Sequence, residues 1–257
     1  MKMKKLTKKE RSFKSVRDAI YVRHAEKTEK GEELGLYKKA GRLLSVPFTK
    51  LLLYFPITAN MVSFAGVLFT VLAAYPFALG GLKYGLVGLL LMYVGDFCDF
   101  LDGPIARIRK TLSKYAGHFL THFYHQGAFS FVFIGLGLGV FKTTGNALYL
   151  YLGFAASFFH LFTVYTLEMR KALLLEFEYD QFKDAHDGSK IFIEKKSQHF
   201  ILKMFTLPVY FIRVIILVGF LLNVVDWLVI FYGIFLPFRA ILFFGNTYIN
   251  LRRKENQ

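Results

Sequence analysis

Three carboxylates and three imidazoles fall within apolar stretches of this chain, and their spacing is suited to chemistry. Asp96, Asp99 and Asp102 recur at intervals of three in GDFCDFLDGPIAR. On a helix each such step advances about 300°, so the carboxylates share a broad face, one turn apart. Crowded anions in low dielectric repel strongly unless a divalent cation lies between them, and hard oxygen ligands suit magnesium or manganese. The alternative leaves Asp102 as a helix-end residue at the membrane surface and pairs the others with Arg or His of a neighbouring helix. In GHFLTHFYH, His118, His122 and His125 stand at i, i+4 and i+7, within about 60° of arc. Imidazole, with an unperturbed pKa of about 6.5, can take a proton at neutral pH, and as a ligand it shifts metal preference toward manganese, iron or zinc. Equally, the three rings can be interfacial groups hydrogen-bonded to the aspartates in a site without chemistry. Cys98 is the single cysteine, which excludes an internal disulfide and a Cys-rich zinc site.

The elements that carry these groups are read from composition. Of 257 residues, 54% are hydrophobic, 18% aromatic and 20% charged, whereas a soluble domain sits near ~45–50% apolar and ~25% charged. A water-soluble enzyme is excluded. A formal charge of +15 beside 30 Phe points to lipid and not to nucleic acid. Apolar stretches long enough to cross a hydrocarbon core lie at roughly 60–80, 85–102, 117–141, 146–168, 205–225 and 227–249. They predict an all-α integral membrane protein with six transmembrane helices. Alternating orientation collects 29 of the 33 Lys and Arg on the side holding 1–50, 103–116, 169–204 and 250–257. By the positive-inside rule both termini are cytoplasmic, in a multi-pass protein of the cell membrane.

Residues 1–45 form a basic juxtamembrane segment, partly amphipathic and expected to lie along the membrane as one or two short helices. No apolar run follows the basic N-terminus closely enough for a cleaved signal. Residues 46–251 are one helical membrane domain and 252–257 a cytoplasmic tail, with 169–204 the only sizeable loop. Arg239 lies mid-span and requires an anionic partner, an acceptor phosphate or a lipid headgroup, whereas Arg213 lies nearer a helix end and can snorkel. Tyr21-Val22-Arg23-His24-Ala25-Glu26 is similar to the R-H-G-E type motif of histidine phosphatases, but that chemistry needs a strand before it and a large α/β domain after it, and neither fits here.

Asp99-x2-Asp102-Gly103-x2-Ala106-Arg107 resembles the first half of the signature of the CDP-alcohol phosphotransferases, D-x2-D-G-x2-A-R-x8-G-x3-D-x3-D. Upstream, Pro56-Ile57-Thr58-Ala59-Asn60-Met61-Val62-Ser63 is similar to the family's I-T-P-N-x-x-T, with Ala59 for Pro and Ser63 for Thr. The likeness covers about 60–125 in residues and most of 46–251 in architecture. It implies that a CDP-linked lipid, or another CDP-alcohol, binds with its diphosphate on divalent metal held by Asp99 and Asp102. A polar acceptor alcohol then takes the phosphoalcohol group and CMP leaves.

The second half of the pattern departs. Gly117 stands one residue late, and Thr121 and His125 occupy the positions of the family's third and fourth aspartates. The resemblance makes His125 the base, with His122 next, and leaves Asp96, His122 or Thr121 to complete the metal shell. Gly103, Ala106 and Gly117 give a nucleotide close approach, Arg107 can grip phosphate in two prongs, and His118 joins Arg239 as a candidate for acceptor or lipid phosphate. Asn60 bonds the nucleotide or caps the first helix. A homodimer is expected from the resemblance alone. The competing expectations are a catalytically silent homologue that binds nucleotide or lipid, and a proton-relaying transporter, for which the inverted repeats are lacking.

The orientation is testable. In intact cells an impermeant amine reagent is expected to label Lys83 and Lys142 and to spare lysines of 103–116 and 169–204; the opposite pattern would invert the topology.

Overall fold

The computed structural model describes residues 7, 12, 14–19, 36–111, 127–184 and 211–255. Among these residues there are helices and turns but no strands. A short helical stretch at 14–19 precedes α1 (Leu36–Leu52), α2 (Ala59–Leu72), α3 (Ala74–Leu79), α4 (Leu82–Arg109), α5 (Ala128–Thr144), α6 (Leu148–Asp184), α7 (Ile212–Leu221) and α8 (Val225–Glu255). Four stretches are long and apolar enough to cross a membrane: Ala59–Leu79, Leu82–Arg109, Leu148–Arg170 and Val225–Arg252. The chain is therefore an all-α, membrane-embedded protein. Two further apolar helices, Ala128–Thr144 and Ile212–Leu221, are shorter; the second begins after Phe211, its N-cap, and residues 117–126 and 205–210 of the third and fifth expected spans lie outside the described residues.

The packing explains why these helices suit lipid. Fewer than half of the residues in each spanning window are buried, yet the exposed ones are large and apolar, as with Phe154, Phe158, Leu161 and Tyr165 on α6 and Ile234, Phe238 and Ile241 on α8. On α1 the pattern is reversed relative to a helix in water. Ser45 and Thr49 are fully buried while Leu43, Leu44, Phe48 and Leu51 face outward, an arrangement stable only where the outer medium is apolar.

Element boundaries differ from the hydropathy reading in several places. The first span is broken at Ala73 into α2 and α3. The second helix does not stop at 102: Pro104 is carried inside it and it continues to Arg109. It ends in a Schellman motif, with Lys110 at φ 54° and bonds from Lys110 N to Arg107 O (3.2 Å) and Thr111 N to Ala106 O (2.9 Å). The cations Arg107 and Arg109 in the last turn complement the helix dipole and favour that extension. The expected loop from 169 begins instead as helix, since α6 runs on to Asp184 through good helix formers with no Gly or Pro to stop it; residues 185–204 lie outside the described residues.

By contact the chain forms two compact units, Met1–Ala73 with Leu90–Phe129, and Ala74–Leu89 with Ser130–Gln257. The first has a core of Val16, Leu53, Ala59, Val62, Cys98, Leu101, Ile105 and Ala106. In the second, α8 packs along α6, and α5 meets α6 so closely that a Cβ on Gly137 would lie 2.8 Å from the Gly153 Cα and 2.8 Å from the Tyr149 carbonyl. Small residues let helix backbones approach where no hydrophobic force acts between helices in lipid. Gly137→Val or Gly153→Val is therefore expected to cost about 1–3 kcal/mol, read as a lower thermal midpoint in detergent. Gly245→Ala, with open space around its Cα, should leave the midpoint unchanged or slightly raised.

Candidate functional site

The site is built on α4 and on the turn that starts α2. Thr58 begins α2 as its N-cap, with φ −87°, ψ 159° and its side-chain oxygen accepting from Met61 N at 3.2 Å. This assigns the cap to Thr58 and not to Asn60, which is exposed in the first turn of the helix. One turn further on, Ser63 is buried. Its hydroxyl donates to Asp102 Oδ2 at 2.5 Å and also lies 3.1 Å from the Ala59 carbonyl.

On α4, Cys98, Leu101 and Ile105 turn into the core of the first unit, and Asp96, Asp99 and Asp102 follow an adjacent face. Asp96 is buried at 7% exposure, while Asp99 and Asp102 are half-buried. Burial deepens in the direction away from the basic helix end, so Asp102 and Asp99 are the better placed to meet a polar ligand. Their hard oxygen donors suit a divalent cation. Among the described residues, however, no three His, Cys, Asp or Glu side chains lie together as a metal-holding group. The expected remainder, Thr121, His122 and His125, together with Gly117 and His118, lies outside the described residues.

Past Asp102 the helix is tied down by its arginines. The Arg107 Nε donates to the Ala19 carbonyl at 2.6 Å, and Arg109 Nη2 donates to the Phe55 carbonyl at 2.5 Å. The Arg107 guanidinium folds back over Gly103, where an added Cβ would meet Nη2 at 3.4 Å and Nη1 at 3.5 Å. Gly103 thus faces the arginine at ordinary contact distance, a neighbour its spacing does not foretell, and Ala106 is buried in the core. Ser63 is marked in the sequence only by its place in the motif, and no local signal ties it to a carboxylate 39 residues later. Arg239, in the other unit, is buried at 6% exposure with its Cζ 5.0 Å from the Phe243 ring.

A scan against protein-family models finds no match to this chain, and a search of curated proteins finds none either.

The Ser63–Asp102 bond has a measurable weight. A hydrogen bond to a charged acceptor contributes about 1.5–3 kcal/mol, so Ser63→Ala should destabilise the protein by an amount in that range, read as a lower thermal midpoint, and Ser63→Thr should retain most of the stability. In an Asp102→Asn background the same alanine substitution should cost less, which a double-mutant cycle measures.

Proposed function

We propose that the protein is a metal-dependent CDP-alcohol phosphotransferase of the cell membrane, with six spans and both termini cytoplasmic. It moves a phosphoalcohol group, phosphatidyl when the donor is CDP-diacylglycerol, to an acceptor hydroxyl and releases CMP in phospholipid synthesis. The observation that carries this reading is the run Asp99-x2-Asp102-Gly103-x2-Ala106-Arg107 within a spanning helix, its Asp102 held by the Ser63 hydroxyl. Carboxylates in hydrocarbon cost at least ~2.5–3.5 kcal/mol each on insertion scales, so three in one span mark a functional site.

Asp99 and Asp102 would hold the divalent cation, magnesium or manganese, which neutralises the donor's diphosphate when bound. Ser63 keeps Asp102 in one rotamer and disposes of one of its lone pairs, leaving the carboxylate oriented. His125 accepts the acceptor's proton; the acceptor oxygen forms its bond to the phosphorus nearest the alcohol as the bond to the CMP oxygen breaks, and the electron pair leaves with CMP. The apolar chains of a lipid donor remain against the exposed apolar helix faces, while the polar acceptor arrives from water.

The substitutions of the second half-motif, Thr121 and His125 where the family has aspartates, favour one rival, a silent homologue that binds nucleotide or lipid without turnover. CMP release by purified protein, over a panel of CDP-alcohols, acceptors and divalent metals, separates the two. Asp102→Asn and Asp99→Asn are expected to abolish release while the protein still inserts and purifies, and Asp96→Asn to be intermediate. Near-normal turnover in Asp102→Asn would remove the metal-site assignment. His125→Ala should lower kcat by about 10²–10⁴ with little change in nucleotide affinity. The acid limb of kcat in the unmodified protein should titrate near the imidazole value of about 6.5, and His125→Asp should move it to lower pH. An unchanged titration would shift the role to His122.

A further inference from the structure

A cavity of about 280 Å³ opens at one end of the unit Ala74–Leu89 with Ser130–Gln257, and all of its walls come from that unit. Its mouth is formed by Gly80 and Gly81 before α4, by Thr144 at the end of α5 and by Asn223 before α8. Gly80, Gly81 and Asn223 have φ of 75°, 81° and 55°, a left-handed region that glycine and asparagine enter at least cost. The spanning stretch Ala59–Leu79 ends here, and Leu82–Arg109 and Val225–Arg252 begin here, which puts the mouth at a boundary between hydrocarbon and water. Leu82 precedes Asp102 on the same helix by about 30 Å of rise, so the cavity is separate from the carboxylates of α4.

The walls combine an aromatic floor with hydrogen-bond acceptors. Phe77 and Phe220 are buried and stack with their ring centroids 5.8 Å apart, 12° from parallel. Thr143 and Thr144, exposed at the end of α5, give their hydroxyl protons to the main chain: Oγ1 of Thr143 lies 3.0 Å and that of Thr144 2.8 Å from the Val140 carbonyl. What these hydroxyls still offer a ligand is acceptance. Asp226, half-buried, is the one charged residue in the lining. The neighbouring cations do not line it; the Lys83 ammonium stands 6.0 Å from the Tyr84 ring and Lys142 is exposed. A carboxylate and hydroxyl oxygens over stacked rings suit a cation that donates hydrogen bonds and carries a short carbon chain. The volume, just under the usual range of about 300–1,000 Å³ for small-molecule sites, keeps that ligand small. We propose that this cavity binds a primary ammonium group of aminoalcohol size, its N–H groups on Asp226 and the threonine hydroxyls and its carbons against Phe77 and Phe220, brought either by a lipid headgroup or by a soluble amine. Asp226 also stands in the first turn of α8, where a carboxylate complements the helix dipole; that role needs no ligand.

The thermal midpoint of full-length protein, delipidated in neutral detergent, tests this, since a ligand of the folded state raises it. One arm adds ethanolamine hydrochloride, with choline chloride at equal ionic strength as the control whose quaternary nitrogen has no N–H. The other adds phosphatidylethanolamine in mixed micelles, against phosphatidylcholine. A rise with ethanolamine identifies a soluble ligand and a rise with phosphatidylethanolamine alone a headgroup; either supports the site. Asp226→Asn, which keeps the shape of the side chain, is expected to weaken the effective probe about tenfold or more, whereas a carboxylate serving only the dipole of α8 would leave the probe's effect unchanged. Thr144→Val removes one acceptor and should weaken the probe severalfold; it carries the test if Asp226→Asn does not fold. No rise with either probe, an equal rise with the quaternary controls, or an undiminished rise in the variant read overturns the proposal.

Discussion

Polar groups placed inside a membrane span must be answered within the protein, because hydrocarbon offers no hydrogen bonds. The contact between Ser63 and Asp102 is the clearest response to that constraint here. It fixes α2 against α4 at the carboxylate face, and it depends on the start of α2 being set by Thr58. The threonine hydroxyls Thr70, Thr163 and Thr166 meet the same demand locally, each donating to the carbonyl four residues before it. Ser63 gives its single proton to Asp102 while its oxygen stays 3.1 Å from the Ala59 carbonyl, which makes it a structural link as well as a partner for the acid.

The arginines extend the principle toward the basic end of α4. Arg107 and Arg109 spend hydrogen bonds on main-chain carbonyls of Ala19 and Phe55, so the segment after the carboxylates is held by the chain that precedes the first span. The polar N-terminal region is thereby part of the first unit's architecture. Its apolar contribution is explicit, since Val16 is fully buried in the same core as Leu101 and Ile105. The end of α4 beyond Asp99 is thus positioned by three separate stretches of sequence, around Ala19, Phe55 and Ser63.

The two units answer charge in different ways. Around α4 the acids have hydroxyl and cationic company in the sequence, whereas Arg239 is surrounded by Phe, Leu and Ala. Close glycine contacts between α5 and α6 narrow the room for rearrangement there.

Hydropathy is a local property, so the sequence by itself determined that the chain is helical and membrane-embedded, that acids occupy a span and that Arg239 lies within another. Four spans of sufficient length follow from the same signal; the other two expected spans begin at residues outside those described. Helix ends were less legible. The Gly103-Pro104 pair reads as a stop, but a proline costs a helix one hydrogen bond and need not end it when the turn beyond is anchored, as Arg107 and Arg109 anchor this one. Only the tertiary structure decided that Ser63 meets Asp102, that Arg107 lies over Gly103 and reaches Ala19, and that Arg239 has no acceptor for Nε or Nη1. These depend on which helices pack together, and long-range packing leaves no periodic trace in the residues that take part in it.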